Sequence, residues 1–335
     1  MTQLTQLRLT GLDAQDPLAY LAALGCLLGA GASCLRMGLQ RPTLHFDLAS
    51  VPTPILSVAV TNEDELIEIL AADLDDAAGR SEGERDPFLT FSYPDGDGGP
   101  IQDLKPPPPW FRKVAQAWIA DASHEAHRTT DWAAAVLTDA AVDNNGAGKP
   151  FALHFTAGQQ RFLNVAQELL DGAGKKATER RVDHVDLRAA VFGPWPNDRS
   201  LKVFSWSPTQ DRAYALRAVD PSTDKKLGTP GADWLALRGV GLLSSAPRGD
   251  RRVDRITTSG VLGGWKSGTF SYPVWRSPLD EDAVRSLLRH PAIRPDARGR
   301  GTEVRSLPRG VEVLTSRISR SDQGGYGSFS RPTWR

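Results

Sequence analysis

The sequence predicts a mixed α/β (α+β) protein: a ferredoxin-like α/β sandwich at the N-terminus, a helical middle and a strand-rich C-terminal part. Three observations point there. Strand-like and helical patterns follow one another in the order β-α-β-β-α within the first 78 residues, an order that suits helices covering a sheet. Three segments with apolar residues at three- and four-residue spacing fall within residues 110–170. From Leu201 onward, short apolar runs alternate with Gly/Pro turns. A chain of 335 residues is long enough for a sizeable core, and its 40% hydrophobic and 24% charged residues are ordinary for a globular protein.

Residues 4–9 alternate Leu-Thr-Gln-Leu-Arg-Leu and read as a strand. Asp16 then offers an N-cap and Pro17 stands at the first helical position, where its missing N–H costs nothing. Leu18, Leu21, Leu24 and Leu28 recur at helical spacing, and Tyr20 and Leu27 widen the stripe. Ala19, Ala22, Ala23, Gly25 and Gly29 lie between them and let neighbouring backbones come close. This predicts a helix buried on nearly all sides. Its apolar run is shorter than the ~20 residues of a membrane span, and it follows Asp13 and Asp16 instead of a basic segment. Neither a membrane anchor nor a signal peptide is expected.

Residues 33–39 and 43–48, split by Gln40-Arg41-Pro42, read as a strand pair. Thr61 or Asn62 caps a helix over about 63–78, with Leu66, Ile67, Ile69 and Leu70 inward and an acidic first turn that suits the helix dipole. Residues 92–100 and the proline run 106–109 are too rich in Gly and Pro for regular structure. They close an N-terminal α/β region, 1–109. A helical region, 110–195, follows, with helices over about 110–122, 132–142 and 157–170. A turn-rich connector, 143–150, and a strand-like run, 151–155, lie between the last two. The C-terminal region, 196–335, is basic and strand-rich, with helices over about 232–240 and 280–288.

Charge is balanced overall but divided along the chain. Residues 1–170 hold 11 Lys+Arg against 22 Asp+Glu, and residues 171–335 hold 29 against 18. Such a division suggests an anionic partner for the C-terminal half, mutual docking of the two halves, or charges simply scattered over two solvated faces. Cys26 and Cys34 are the only cysteines and both sit in apolar runs. They read as small core residues in a reducing, cytoplasmic setting.

Chemistry-bearing motifs are sparse. His124 and His127, three apart with Asp131 nearby, could share a metal, but the spacing is one residue short of the H-E-x-x-H zinc pattern. Asp139, Asp143, Asn144 and Asn145 could converge with His154 and the turn at 156–160. No phosphate-binding loop, dinucleotide fingerprint or nucleophile elbow occurs. No catalytic residue, metal or cofactor is assigned.

The C-terminal third carries the stronger signal. Arg251, Arg252 and Arg255 precede a glycine-rich turn bearing Trp265 and Lys266, and Arg317 and Arg320 lie near the end. Basic residues neutralise phosphates and exposed aromatics stack bases. These seven residues form the predicted nucleic-acid-binding set. The competing reading makes Trp265, Tyr272 and Trp275 core residues of a hairpin whose arginines pair with local carboxylates.

Two stretches carry a family resemblance. The opening Gly11-Leu12-Asp13 with Asp16-Pro17-Leu18-Ala19-Tyr20-Leu21-Ala22-Ala23-Leu24-Gly25 resembles the start of CRISPR-associated proteins of the type I-G (formerly I-U) systems. Thr257-Thr258-Ser259-Gly260, Phe270-Ser271-Tyr272-Pro273-Val274-Trp275 and Ser277-Pro278-Leu279, with Val284-Arg285-Ser286-Leu287-Leu288 and Asp211-Arg212-Ala213-Tyr214-Ala215-Leu216-Arg217, are similar to accessory proteins encoded beside those effectors. The resemblance implies a non-catalytic, large-subunit-like or accessory component of an antiviral interference complex. It implies DNA or a guide RNA/DNA complex as partner, together with other effector subunits or a helicase-nuclease. It supplies no DNA-contacting residue. The alternatives are a protein–protein scaffold that does not touch nucleic acid, or a metal-dependent hydrolase using His124, His127 and Asp131.

Overall fold

The computed structural model describes residues 4–80, 83–95, 98–122, 127–156, 160–173, 179–210, 227–247, 256–293, 306–320 and 326–335. Its N-terminal unit runs β1 (Thr5–Arg8), α1 (Pro17–Arg36), β2 (Thr43–Asp47), β3 (Thr53–Val58) and α2 (Glu63–Ala77). The three strands form an antiparallel sheet in the order β1-β3-β2, with Leu56 of β3 opposite both Leu7 and Leu44. Mixed α+β architecture is therefore as expected. The strand pair is not: residues 33–36 continue α1, whose buried positions run on through Ser33 and Cys34 at helical spacing. The partner of β2 is β3, which was hidden in the sequence by Pro54.

Asp16 caps α1, accepting from the Leu18 N–H at 2.9 Å. Asn62 caps α2 by accepting from the Glu65 N–H. By length and composition the 20 residues of α1 would suffice to cross a membrane; here most of that helix is buried inside the fold. The hairpin β4 (Tyr93–Asp95) and β5 (Gly98–Ile101) supplies regular structure where none was expected. The helices α3 (Pro108–Asp121), α4 (Arg128–Val136) and α5 (Phe162–Asp171) follow. An unforeseen helix, α6 (His184–Phe192), starts at a reciprocal capping box between Asp183 and Asp186.

Residues 151–155 are irregular instead of a strand. Side chains take over the role of a ladder: Thr258 Oγ1 accepts from the Ala152 N–H, and Trp206 Nε1 donates to the Leu153 carbonyl. Phe151, Leu153 and Phe155 thereby reach the core.

The helix α7 (Pro230–Val240) is buried along its whole length and crosses α1. The crossing is a backbone contact. A Cβ on Gly25 would lie 1.8 Å from the Leu235 carbonyl oxygen, and one on Gly239 would lie 1.9 Å from that of Leu21. Only glycine fits either position. The close backbone approach expected of the Ala/Gly positions of α1 thus occurs at Gly25.

The remaining strands are β6 (Ser245–Pro247), β7 (Ile256–Thr258), β8 (Val261–Gly263), β9 (Ser267–Trp275), β10 (Val311–Arg320), β11 (Gly327–Phe329) and β12 (Thr333–Trp334), with α8 (Glu281–Leu288) between β9 and β10. The main C-terminal sheet is ordered β11-β10-β9-β8, and β12 also pairs with β10. Tyr272 and Trp275 of β9 tie this sheet to the N-terminal unit. Tyr272 Oη donates to the Ala14 carbonyl at 2.8 Å, and Trp275 Nε1 donates to that of Leu44 at 2.7 Å.

Part of the charge division is used for docking. Arg238 of α7 donates to Asp73 of α2 at 3.0 Å, with both side chains almost fully buried. Arg128 completes this cluster, donating to Asp76 and Asp86 as well as Asp73. Arg285 reaches Asp131 at 2.7 Å. Burial alone would raise the Asp73 carboxyl, but the Arg238 and Arg128 guanidiniums outweigh it and hold it below the usual range.

Candidate nucleic-acid interface

Of the seven residues predicted to contact nucleic acid, four lie among the described residues. Arg251, Arg252 and Arg255 lie outside them. The other four fall on the β8–β9 hairpin and on the adjacent strand β10, but not on one face.

The hairpin tip is built by glycine. Gly263, at φ +111°, pairs with Gly268, and a Cβ on Gly263 would come within 2.7 Å of the Gly268 Cα. The Gly264 N–H closes the turn on the Ser267 carbonyl at 2.9 Å. Gly264, Trp265 and Lys266 are thereby presented to solvent, and Trp265 remains 49% exposed. Tyr272 and Trp275, farther along β9, are fully buried. The hairpin therefore divides its aromatics between core and surface.

Arg320, the last residue of β10, fixes the exposed indole. Its guanidinium carbon lies 3.8 Å from the Trp265 ring centre and 5.1 Å from that of Phe155. Nη1 donates to the Trp265 carbonyl at 2.6 Å, and Nη2 donates to the Ala152 carbonyl at 2.6 Å and to that of His154 at 3.3 Å. Nε is buried without a hydrogen-bond partner among the described residues. Burial pulls the guanidinium down to about 10, so it stays charged near neutral pH. Arg320 joins the hairpin tip to segment 151–155, and its donors serve backbone carbonyls.

Strand alternation separates the other arginine. Ile318 and Arg320 share one face of β10, whereas Arg317 lies on the opposite face and is exposed. Sequence proximity had grouped two residues that the pleat divides.

Trp265 and Arg320 border a cavity of about 570 Å³. Its apolar wall includes Val261, Leu262 and Ile318, and Lys105, Lys149 and Asp143 complete it. Those last three come from the N-terminal and middle regions, and no local pattern links them to the C-terminal hairpin. Asp143 Oδ1 is held by the N–H groups of Asn145 (2.8 Å) and Ala147 (3.0 Å), which explains the Asx-turn chemistry of this connector.

Asp139, Asp143, Asn144 and Asn145 do not converge on His154, and residues 157–159 of the turn at 156–160 lie outside the described residues. Asp139 pairs with Arg112, and Asn144 and Asn145 are exposed. His154 is instead buried against Phe162, with Nε2 3.3 Å from Asp103 and 3.5 Å from Thr156 Oγ1. A relay needs the base on one ring nitrogen and its orienting group on the other. Among the described residues both contacts fall on Nε2, which makes this a buried polar cluster without the two-sided arrangement of a relay.

The hydrolase reading names His124, His127 and Asp131. His124 lies outside the described residues, and Asp131 is engaged by Arg285. Among the described residues, no three His, Cys, Asp or Glu side chains converge as a metal site. Cys26 and Cys34 are both unpaired and buried, and burial pushes the Cys26 thiol up to about 12.

Comparison of the chain with protein-family models, with curated proteins and with solved structures finds no match.

Proposed function

We propose that this protein is a non-catalytic, nucleic-acid-binding component of, or accessory to, a CRISPR type I antiviral interference complex, acting in the cytoplasm. In this reading the β8–β9 hairpin tip contacts a nucleic-acid strand, and Trp265 stacks on a base. Lys266 and Arg317, with Arg251, Arg252 and Arg255, supply charge for the phosphates. Arg320 holds the indole in place. The place in a CRISPR complex, beside other effector subunits or a helicase-nuclease, rests on the sequence resemblance. The order β1-β3-β2, reached through β-α-β-β-α, supports reading the N-terminal unit as a ferredoxin-like sandwich.

One observation carries the binding proposal: a half-exposed tryptophan backed by a part-buried arginine at the edge of a cavity with two lysines. An indole left in water at a hairpin tip does little for the core, but base–aromatic stacking contributes about 1–3 kcal/mol per base. Titration of single- and double-stranded DNA across a salt series tests the proposal. Affinity should fall linearly with the logarithm of salt concentration, and replacing Arg251, Arg252 and Lys266 together should flatten that slope. Absence of binding at low salt would refute it.

A further inference from the structure

We infer that the cavity beside Trp265 receives one unstacked nucleotide, its base against the indole and its phosphate toward Lys105 and Lys149. The inference rests on the nucleic-acid reading above and narrows it to a ligand. The cavity of about 570 Å³ falls within the ~300–1,000 Å³ of small-molecule sites. That suits a single nucleotide and is too small for a duplex. Its wall carries both kinds of group that such a ligand requires. Trp265 and Leu262 offer apolar surface to a flat ring, while Lys149 and Lys105, the latter also 3.9 Å from Asp103, bring positive charge for a phosphate.

Two features make this a formed site. Arg320 is locked by three carbonyls and holds the indole before any ligand arrives, so stacking there costs little ordering entropy. Asp143 is fixed on the wall by two backbone N–H groups. A carboxylate accepts hydrogen bonds and donates none. It therefore favours bases presenting amino or ring N–H donors, guanine above all, over thymine with its single N–H. A paired, stacked base cannot reach this wall unless it leaves the helix, so single strands should bind better than duplexes.

The test uses the full chain, a short single-stranded DNA containing one 2-aminopurine, and the free mononucleotides dGMP and dTMP as competitors. Trp265→Ala should weaken strand binding about tenfold and abolish the 2-aminopurine signal change. Trp265→Phe should recover most of both. Because Trp265 is half exposed, these variants should melt as the parent does, which a thermal scan verifies. Millimolar dGMP should displace the strand more effectively than dTMP. Strand binding that weakens with Trp265→Ala but is indifferent to both mononucleotides would overturn the cavity assignment and leave the broader proposal standing, whereas strand binding indifferent to Trp265→Ala would overturn the role of Trp265 in both. Trp265-dependent dGMP binding without strand binding at low salt would uphold the nucleotide site and overturn the broader proposal. Binding of neither would overturn both.

Discussion

Gly239 of α7 lies directly on Gly25 of α1: a Cβ on Gly239 would be 2.7 Å from the Gly25 nitrogen. The two central helices therefore meet backbone to backbone, and the fold closes around that crossing. Gly25→Ala or Gly239→Ala forces main chains apart and cannot be relieved by a side-chain rotation. Each should cost at least about 3 kcal/mol, the upper end of ordinary overpacking. At Gly29 the added methyl would meet the ends of Leu70 and Asp73 at 3.1 and 3.3 Å. Gly29→Ala should therefore be much milder. Urea unfolding of the three variants provides the comparison.

Asp16 links the same helix to pH. Burial raises its carboxyl to about 6, against hydrogen bonds from Ser207 Oγ (2.6 Å) and the Leu18 N–H. A carboxyl raised on folding stabilises the fold fully below its ordinary value of 3.8, and this contribution is lost as pH rises through 6. The change amounts to about 3 kcal/mol. Asp16→Asn keeps an N-cap acceptor but does not titrate. The stability of the parent relative to this variant should thus fall between pH 4 and pH 7 in thermal melts.

Asp73 and Arg238 form a buried pair whose members depend on each other. Removing one leaves the other charged in the core. Asp73→Ala should cost about 3–5 kcal/mol. Replacing both, with Asp73→Leu and Arg238→Met, should recover much of that loss. A double-mutant cycle in denaturant reads the coupling directly.

Arg320 and Trp265 should behave as one unit in binding. Arg320→Met removes the carbonyl contacts that seat the indole and should weaken single-strand binding about as much as Trp265→Ala. The double variant should be little worse than either single one. Arg317→Ala, on the opposite face of β10, should leave mononucleotide competition unchanged while slightly lowering the salt dependence of strand binding. Fluorescence titration of the four variants separates these roles.

Local pattern determined more of this fold than of its site. The Asp16-Pro17 start, the leucine stripe and the Ala/Gly positions specify α1, because capping and helical spacing act within a few residues. The same local rules placed α2, α7 and α8 near their observed bounds. They failed where stability comes from elsewhere. β3 contains a proline, and residues 151–155 satisfy their backbone through Thr258, Trp206 and Arg320 instead of a ladder.

For the candidate site, the sequence alone marked Trp265, Lys266, Arg317 and Arg320 as basic and aromatic. Only the tertiary structure decided their roles. The β-pleat sent Arg317 away from the cavity, burial turned Arg320 into a support for Trp265, and chain crossing brought Lys105, Asp143 and Lys149 to the same wall. Those contacts span more than a hundred residues of sequence. No periodicity encodes them, because they arise only when the separate elements share one core.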